Sequence, residues 1–177
     1  MLTIETVPRL FSGFDNLNVL IIGDVMVDSY LWGKVERISP EAPVPIVAVE
    51  RRENRMGGAA NVGLNVKSLG ANAIICSVIG HDIKGNEFLN LLVKENMTKE
   101  GMVKSDNRIT TTKFRVFGNH SQMLRVDEEQ ISELDEYEYE ELVDRIHNIF
   151  EKWEIDVVVF QDYDKGVISQ DLINYVV

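Results

Sequence analysis

Apolar residues follow two rhythms along this chain. Short continuous apolar runs end at glycines, and between them apolar residues recur at helical spacing. Val19-Leu20-Ile21-Ile22 ends at Gly23 and predicts a central strand covered on both faces. Ala73–Ile79, ending at Gly80, and Asp156–Phe160 predict two more buried strands, and Gly101–Lys104 a short one. Gly57-Gly58 introduces a helix reaching about Leu69, with Val62, Val66 and Leu69 on one face and Gly70 as its stop. Asp82 is placed to cap a helix over Lys84–Glu95 whose stripe is Phe88, Leu91 and Leu92. Ser132 is predicted to cap a long helix with Leu142, Ile146, Ile149, Phe150 and Trp153 inward, and Ser169 to start a last one.

Strand alternating with helix in this way predicts an α/β fold with a parallel, right-handed sheet flanked by helices. Two strand pairs break the rhythm, at about 27–51 and 111–126. Pro40, Pro43 and Pro45 punctuate the first pair, and Gly118-Asn119 turns the second as a hairpin. These pairs predict a separate small sheet projecting as a flap, or lid. Ile46-Val47-Ala48-Val49 is apolar without alternation, so both its faces are expected to be covered, with a second copy of the protein as one candidate cover. There are no repeats, and the whole of 1–177 reads as one partial domain with its lid.

With 177 residues, 45% of them hydrophobic, the chain has the material for a real core and is too apolar for disorder. Its net charge of −11 argues against a nucleic-acid or anionic-membrane partner. Much of that excess lies between Glu128 and Asp156 and reads as a solvated helix face. The lone Cys76 permits no internal disulfide and sits in an apolar run, as a small core residue does. The first residues lack the charged start and apolar block of a secretory signal, and no run approaches the ~20 apolar residues of a membrane helix. The expected location is the cytoplasm.

Candidate chemistry gathers where predicted strands end, the usual place for ligands in open α/β sheets. Asp24 and Asp28 follow the first strand. Their carboxylates suit sugar hydroxyls, or else Asp24 caps a turn and Asp28 decorates a surface strand. Gly57-Gly58-Ala59-Ala60-Asn61 lets backbone approach a ligand and ends in an amide that donates and accepts; a tight packing loop accounts for it equally well. Lys113 and Arg115 share one strand face with Arg125 across the hairpin, which suits a phosphate or, alternatively, structural ion pairs. Lys165, in Asp162-Tyr163-Asp164-Lys165-Gly166, is either a phosphate-neutralising group or an exposed turn lysine.

The order and spacing of these motifs say more than any one of them. The strand-Gly23-Asp24…Asp28 start, Gly57-Gly58-Ala59-Ala60-Asn61 and Gly80-x-Asp82-x-x-Gly85 resemble the N-terminal half of the ribokinase-like carbohydrate kinases. Gly23–Met26, Arg37–Pro45, Thr111-Thr112-Lys113 with Arg115, and Asp162-Tyr163 with Lys165-Gly166 look like the D-glycero-D-manno-heptose-7-phosphate kinases. The resemblance implies transfer of the ATP γ-phosphoryl, with Mg²⁺, to O1 of heptose 7-phosphate, a step toward the nucleotide-activated heptose of lipopolysaccharide. It assigns Asp28, with Asp24 beside it, and Gly57, Gly58 and Asn61 to the sugar. By charge and placement Lys113, Arg115 and Arg125 become candidates for its phosphate, and Lys165 for the transferring group. It implies a β lid that forms a homodimer contact. The family's Gly-Ala-Gly-Asp segment, which supplies anion hole and general base, does not occur in these 177 residues. The expectation is therefore a ribokinase-like fold truncated before its ATP-binding half, inactive by itself, with no catalytic residue and no metal ligand of its own. A non-catalytic sugar-phosphate-binding or dimerisation module is the alternative. A generic dinucleotide-binding domain is disfavoured, because no Gly-x-Gly-x-x-Gly follows the first strand.

Overall fold

The computed structural model describes residues 6–177, so the first five residues of the predicted 1–177 domain lie outside the described residues. The central sheet has four strands, β1 (Asn18–Gly23), β4 (Asn72–Gly80), β5 (Met102–Ser105) and β8 (Val157–Gln161), in the order β5-β4-β1-β8. All three pairings are parallel. Helices α2 (Ala59–Ser68) and α3 (Ile83–Lys94) cover one face, and α4 (Glu136–Lys152) and α5 (Gln170–Val176) the other. Side chains of β1 alternate between the two layers. Val19 and Ile21 meet Ala59, Ala60, Phe88 and Leu92, while Leu20 and Ile22 meet Leu142, Ile146 and Leu172. That double burial is why β1 reads as an unbroken apolar run.

A second sheet stands apart as the predicted lid. It comprises β2 (Val25–Ile38), β3 (Pro45–Gly58), β6 (Thr112–Gly118) and β7 (Ser121–Glu128), in the order β3-β2-β6-β7. The root of β2 is anchored in the core through Val25, Met26 and Val27, and its outer half runs free of the body. Strand β3 continues to Gly58, well past the predicted end near Arg51. Its polar segment Arg52-Glu53-Asn54-Arg55 looks like a loop in sequence, but pairs residue by residue with Leu31 back to Asp28. The β6–β7 turn falls at Asn119 and His120, both with positive φ, one residue beyond the predicted Gly118-Asn119. Asn119 locks this turn onto β2 by accepting the Val35 N–H and donating to its carbonyl.

Several predicted details are corrected. The long helix is capped by Asp135, not Ser132: Asp135 and Glu138 form a reciprocal capping box, and the Ser132 carbonyl is taken by Arg108. Phe150, predicted to face inward, is exposed, because Ile149 next to it takes the inward position. Strand β8 is less buried than its apolar sequence implies, since it forms the sheet edge, and Val157 is exposed. Ile46–Val49 is not covered on both faces: Ile46 and Val47 are half-buried, and Ala48 and Val49 are exposed. Helix α1 (Thr6–Ser12) was not predicted; none of its residues is buried. Asp82 caps α3 as expected, and Ser169 caps α5. Cys76 is fully buried, and burial pushes its thiol up to about 12.

Candidate functional site

The site grows from the end of β1. Asp24 is buried, and its carboxylate accepts the backbone N–H groups of Tyr163 at 2.8 Å, Lys165 at 3.2 Å and Val167 at 3.2 Å. Its own carbonyl accepts the Ala59 N–H at 2.8 Å. Asp24 therefore ties three segments together: the first strand, the loop after β8 and the start of α2. With three backbone donors already on its oxygens, its role here is to hold the 162–167 loop in place. The sequence left Asp24 either beside a sugar or as a turn cap; the structure engages its carboxylate with three backbone N–H groups.

Asp28 lies four residues further, on the lid strand β2, opposite Arg55 of β3 and Lys113 of β6. It pairs with the Arg115 guanidinium, and both side chains are mostly enclosed. Gly57 makes this possible. A Cβ there would fall 2.6 Å from Asp28 Oδ2, inside contact distance. Gly58 serves packing: its φ is +61°, and a Cβ would come within 2.2 Å of the Asp24 carbonyl oxygen. The two glycines of the motif thus do different work, one making room for a carboxylate and one closing the turn into α2. Asn61 sits half-buried in the first turn of α2, and its side chain makes no hydrogen bond to another described residue.

Lys113 and Arg115 share a strand face with Asp28 and Tyr30, as their alternation implies. Lys113 Nζ lies 3.2 Å from Asp127 Oδ2, and Arg125 Nε lies 3.0 Å from Asp127 Oδ1. Partial burial alone would raise the Asp127 carboxyl, but Lys113 and Arg125 outweigh it and hold the group below the ordinary carboxylate range. Glu129 completes the network, with Oε2 3.3 Å from Lys165 Nζ and 3.7 Å from Lys113 Nζ. Lys165 is not the exposed turn lysine of the simpler reading; only 15% of its side chain is accessible. Lys113, Arg125 and Lys165, from three segments, thus converge through two acids, and the Asp28–Arg115 pair lies on the same sheet face.

Sequence reasoning missed Asp127 and Glu129. Glu129 was absorbed into the acidic excess assigned to the following helix, although that helix begins only at Glu136. The available signal was the period-two spacing of Arg125, Asp127 and Glu129, which carries all three to the face of Lys113 and Arg115. Arg108 was also missed. Its enclosed guanidinium pairs with Glu138 and donates to the Lys165 carbonyl at 3.2 Å, so Asp24 and Arg108 hold the two peptide groups that flank the Lys165 Cα.

Further out on the same lid face, the rings of Tyr30 and Trp32 stack at 5.1 Å with an interplanar angle of 8°, and Phe117 lies 6.1 Å from Trp32. The Arg51 guanidinium lies 3.8 Å over the Trp32 ring, and Arg55 lies 4.8 Å over Tyr30. Chemically, the root of the lid offers one carboxylate for hydroxyl groups, and a set of cations, each paired with an acid, for a phosphoryl group. Among the described residues no three His, Cys, Asp or Glu side chains converge as a metal site, and no helix is long and apolar enough to cross a membrane.

Comparison with known proteins matches residues 16–151 to the pfkB family of carbohydrate kinases. Over 154 residues the chain is 41% identical to the bifunctional protein HldE of Helicobacter pylori strain P12, covering 87% of this chain and 33% of that protein. It is 38% identical over 173 residues to the bifunctional protein HldE of Geobacter sulfurreducens, covering 98% of this chain and 35% of the other. The chain thus spans about a third of the length of the curated relatives it matches. Among solved structures, phosphofructokinase-2 from Escherichia coli in complex with fructose-6-phosphate superposes with a TM-score of 0.62 at 19% identity, covering 91% of this chain and 50% of that one. An uncharacterised sugar kinase from Pyrococcus horikoshii in complex with ATP superposes at 0.53 with 23% identity, covering 80% and 42%. At these identities the structural likeness establishes the fold, which is ribokinase-like.

Proposed function

The chain belongs to the pfkB family of carbohydrate kinases, and from that membership we propose that it forms the sugar-binding part of a kinase that phosphorylates O1 of D-glycero-D-manno-heptose 7-phosphate, in the formation of the lipopolysaccharide precursor ADP-heptose. One observation carries the reading. Asp28 lodges in the space left by Gly57, on the same lid face as Lys113, Arg115 and Arg125, and Glu129 links Lys113 to Lys165. A carboxylate for hydroxyls beside a group of cations for a phosphate matches a phosphorylated sugar better than a neutral one.

In this reading Asp28 accepts hydrogen bonds from sugar hydroxyls and Asn61 donates and accepts from α2. Lys113, Arg115 and Arg125 hold the substrate phosphate, and Lys165, which shares the Glu129 carboxylate with Lys113, joins them there rather than facing the transferring group. Gly57 and Gly58 let the backbone close around the ring, and Asp24 keeps the Lys165 loop in register. ATP and Mg²⁺ serve the reaction as donor and counter-ion. Among the described residues no cluster of His, Cys, Asp and Glu fits the metal. Phosphoryl transfer rests on positioning and on stabilising charge. These 177 residues lack the Gly-Ala-Gly-Asp segment, so by themselves they bind sugar phosphate without turnover.

Calorimetry separates this reading from its rivals. Heptose 7-phosphate is expected to bind the chain and ATP is not, and Asp28→Ala is expected to abolish sugar binding while preserving the melting temperature. No binding to the wild type, or undiminished binding to Asp28→Ala, overturns it. A second reading, a module that dimerises through the lid in the cytoplasm, is favoured by the exposed Val49, Leu124 and Val126 on the lid strands, for which a second copy is the natural cover.

A further inference from the structure

We propose that Glu129 is an internal placeholder for the phosphoryl group, a carboxylate that occupies the junction of Lys113 and Lys165 until a phosphate displaces it. The proposal rests on the reading of this site as a sugar-phosphate site and adds to it a device that sets phosphate affinity. Glu129 Oε2 is closed off from solvent and accepts no hydrogen bond. Charge alone holds it, with Lys165 Nζ at 3.3 Å and Lys113 Nζ at 3.7 Å. A buried carboxylate oxygen without a donor is poorly compensated for its lost hydration. Asp127, its neighbour on the same face, also has one enclosed oxygen without a hydrogen bond, Oδ1, but it is better held: Arg125 Nε lies 3.0 Å from that oxygen, and Oδ2 accepts a hydrogen bond from Lys113 Nζ at 3.2 Å. Of the two acids, Glu129 is the one whose loss from the site costs least.

Backbone geometry agrees. The β6–β7 ladder ends with Thr112 opposite Glu128, and Glu129 is the first residue past it. Its side chain can swing out without breaking a strand pair. The two ammonium groups are then left facing one vacated position, enclosed enough to raise their hold on an anion. A phosphate monoester brings nearly two negative charges and three acceptor oxygens, against one charge from Glu129, so it can displace the carboxylate. A ligand carboxylate gains only what Glu129 already supplies. The site thereby selects phosphorylated sugars over sugar acids and unmodified sugars.

Inorganic phosphate is the direct probe, titrated by calorimetry into the 177-residue chain. Glu129→Gln removes the competing charge while keeping the side chain's shape, and is expected to tighten phosphate binding about tenfold. Adding Lys165→Ala to that variant is expected to reverse the gain. Equal or weaker phosphate binding by a folded Glu129→Gln overturns the proposal. Should that variant not fold, the wild type decides by NMR of its lysine side chains: phosphate is expected to shift Lys113 and Lys165 together, with one dissociation constant, and a titration that moves neither overturns it. Heptose 7-phosphate run in parallel separates the two readings. If Glu129→Gln gains phosphate affinity and heptose 7-phosphate does not bind, the placeholder stands and the heptose assignment falls. If heptose 7-phosphate binds through Asp28 and Glu129→Gln changes nothing, the reverse holds.

Discussion

Gly57 lacks a side chain where Asp28 needs the room. Gly57→Ala would thrust a methyl group to 2.6 Å from Asp28 Oδ2 and drive the carboxylate off Arg115. The expected outcome is a fall in heptose 7-phosphate affinity of about tenfold or more, with about 1–3 kcal/mol lost from stability by the overpacking. Calorimetry with a parallel urea melt checks both. Asp28 was legible in the sequence because a carboxylate soon after a buried apolar run stands near the mouth of an α/β sheet. The role of Asp24 was not, because its backbone partners, Tyr163, Lys165 and Val167, lie some 140 residues away. Glu129 was hidden for another reason: local charge density resembled a helix face, and only the lid's register turns it toward Lys113 and Lys165.

At the scale of elements, Asp82 shows how one cap joins two parts of the fold. Its carboxylate accepts the Gly85 N–H at the start of α3, and also the N–H and hydroxyl of Thr110 just before β6. Burial would raise this carboxyl, but those donors outweigh it and hold it below the ordinary range. A carboxyl depressed by folding contributes stability above its unfolded value, about 3.9. That contribution is lost as pH falls through the lower, folded value. Asp82→Ala is expected to cost about 1–3 kcal/mol at neutral pH and to flatten the loss of stability below about pH 4. Urea melts across the acid range test this, and an unchanged acid profile would remove Asp82 from the account. The cap was readable from spacing alone, since Asp82 immediately precedes an apolar stripe of period 3.6. The full length of β3 was not, because its Arg52–Arg55 segment owes its strand geometry to pairing with β2.

Across the whole molecule, two surfaces differ in kind. The body is strongly acidic, and the lid carries on its outer strands the exposed apolar side chains Val49, Met123, Leu124 and Val126. Apolar patches of this sort mark contact surfaces. If the proposed lid dimer forms, Leu124→Glu is expected to weaken self-association at least tenfold, as read by sedimentation equilibrium, while leaving phosphate binding intact. A wild-type chain that stays monomeric at high concentration would sink the dimer. The layered α/β plan and the separate lid were legible from the two hydrophobic rhythms, because each buried layer imposes its period on the chain. The open outer face of Ile46–Val49 was not, because an apolar run looks the same whether this chain or another covers it.

Trp32 gives the lid a property of its own. Its indole stacks on the Tyr30 ring and lies under the Arg51 guanidinium, and the only other tryptophan, Trp153, ends α4 in the body. Once Trp153 is replaced by phenylalanine, the emission excited at the red edge, where tyrosine no longer absorbs, comes from Trp32 in the lid alone. Any ligand that draws the lid inward and loosens those contacts should change the colour and lifetime of the emitted light, so the molecule carries its own optical gauge of closure.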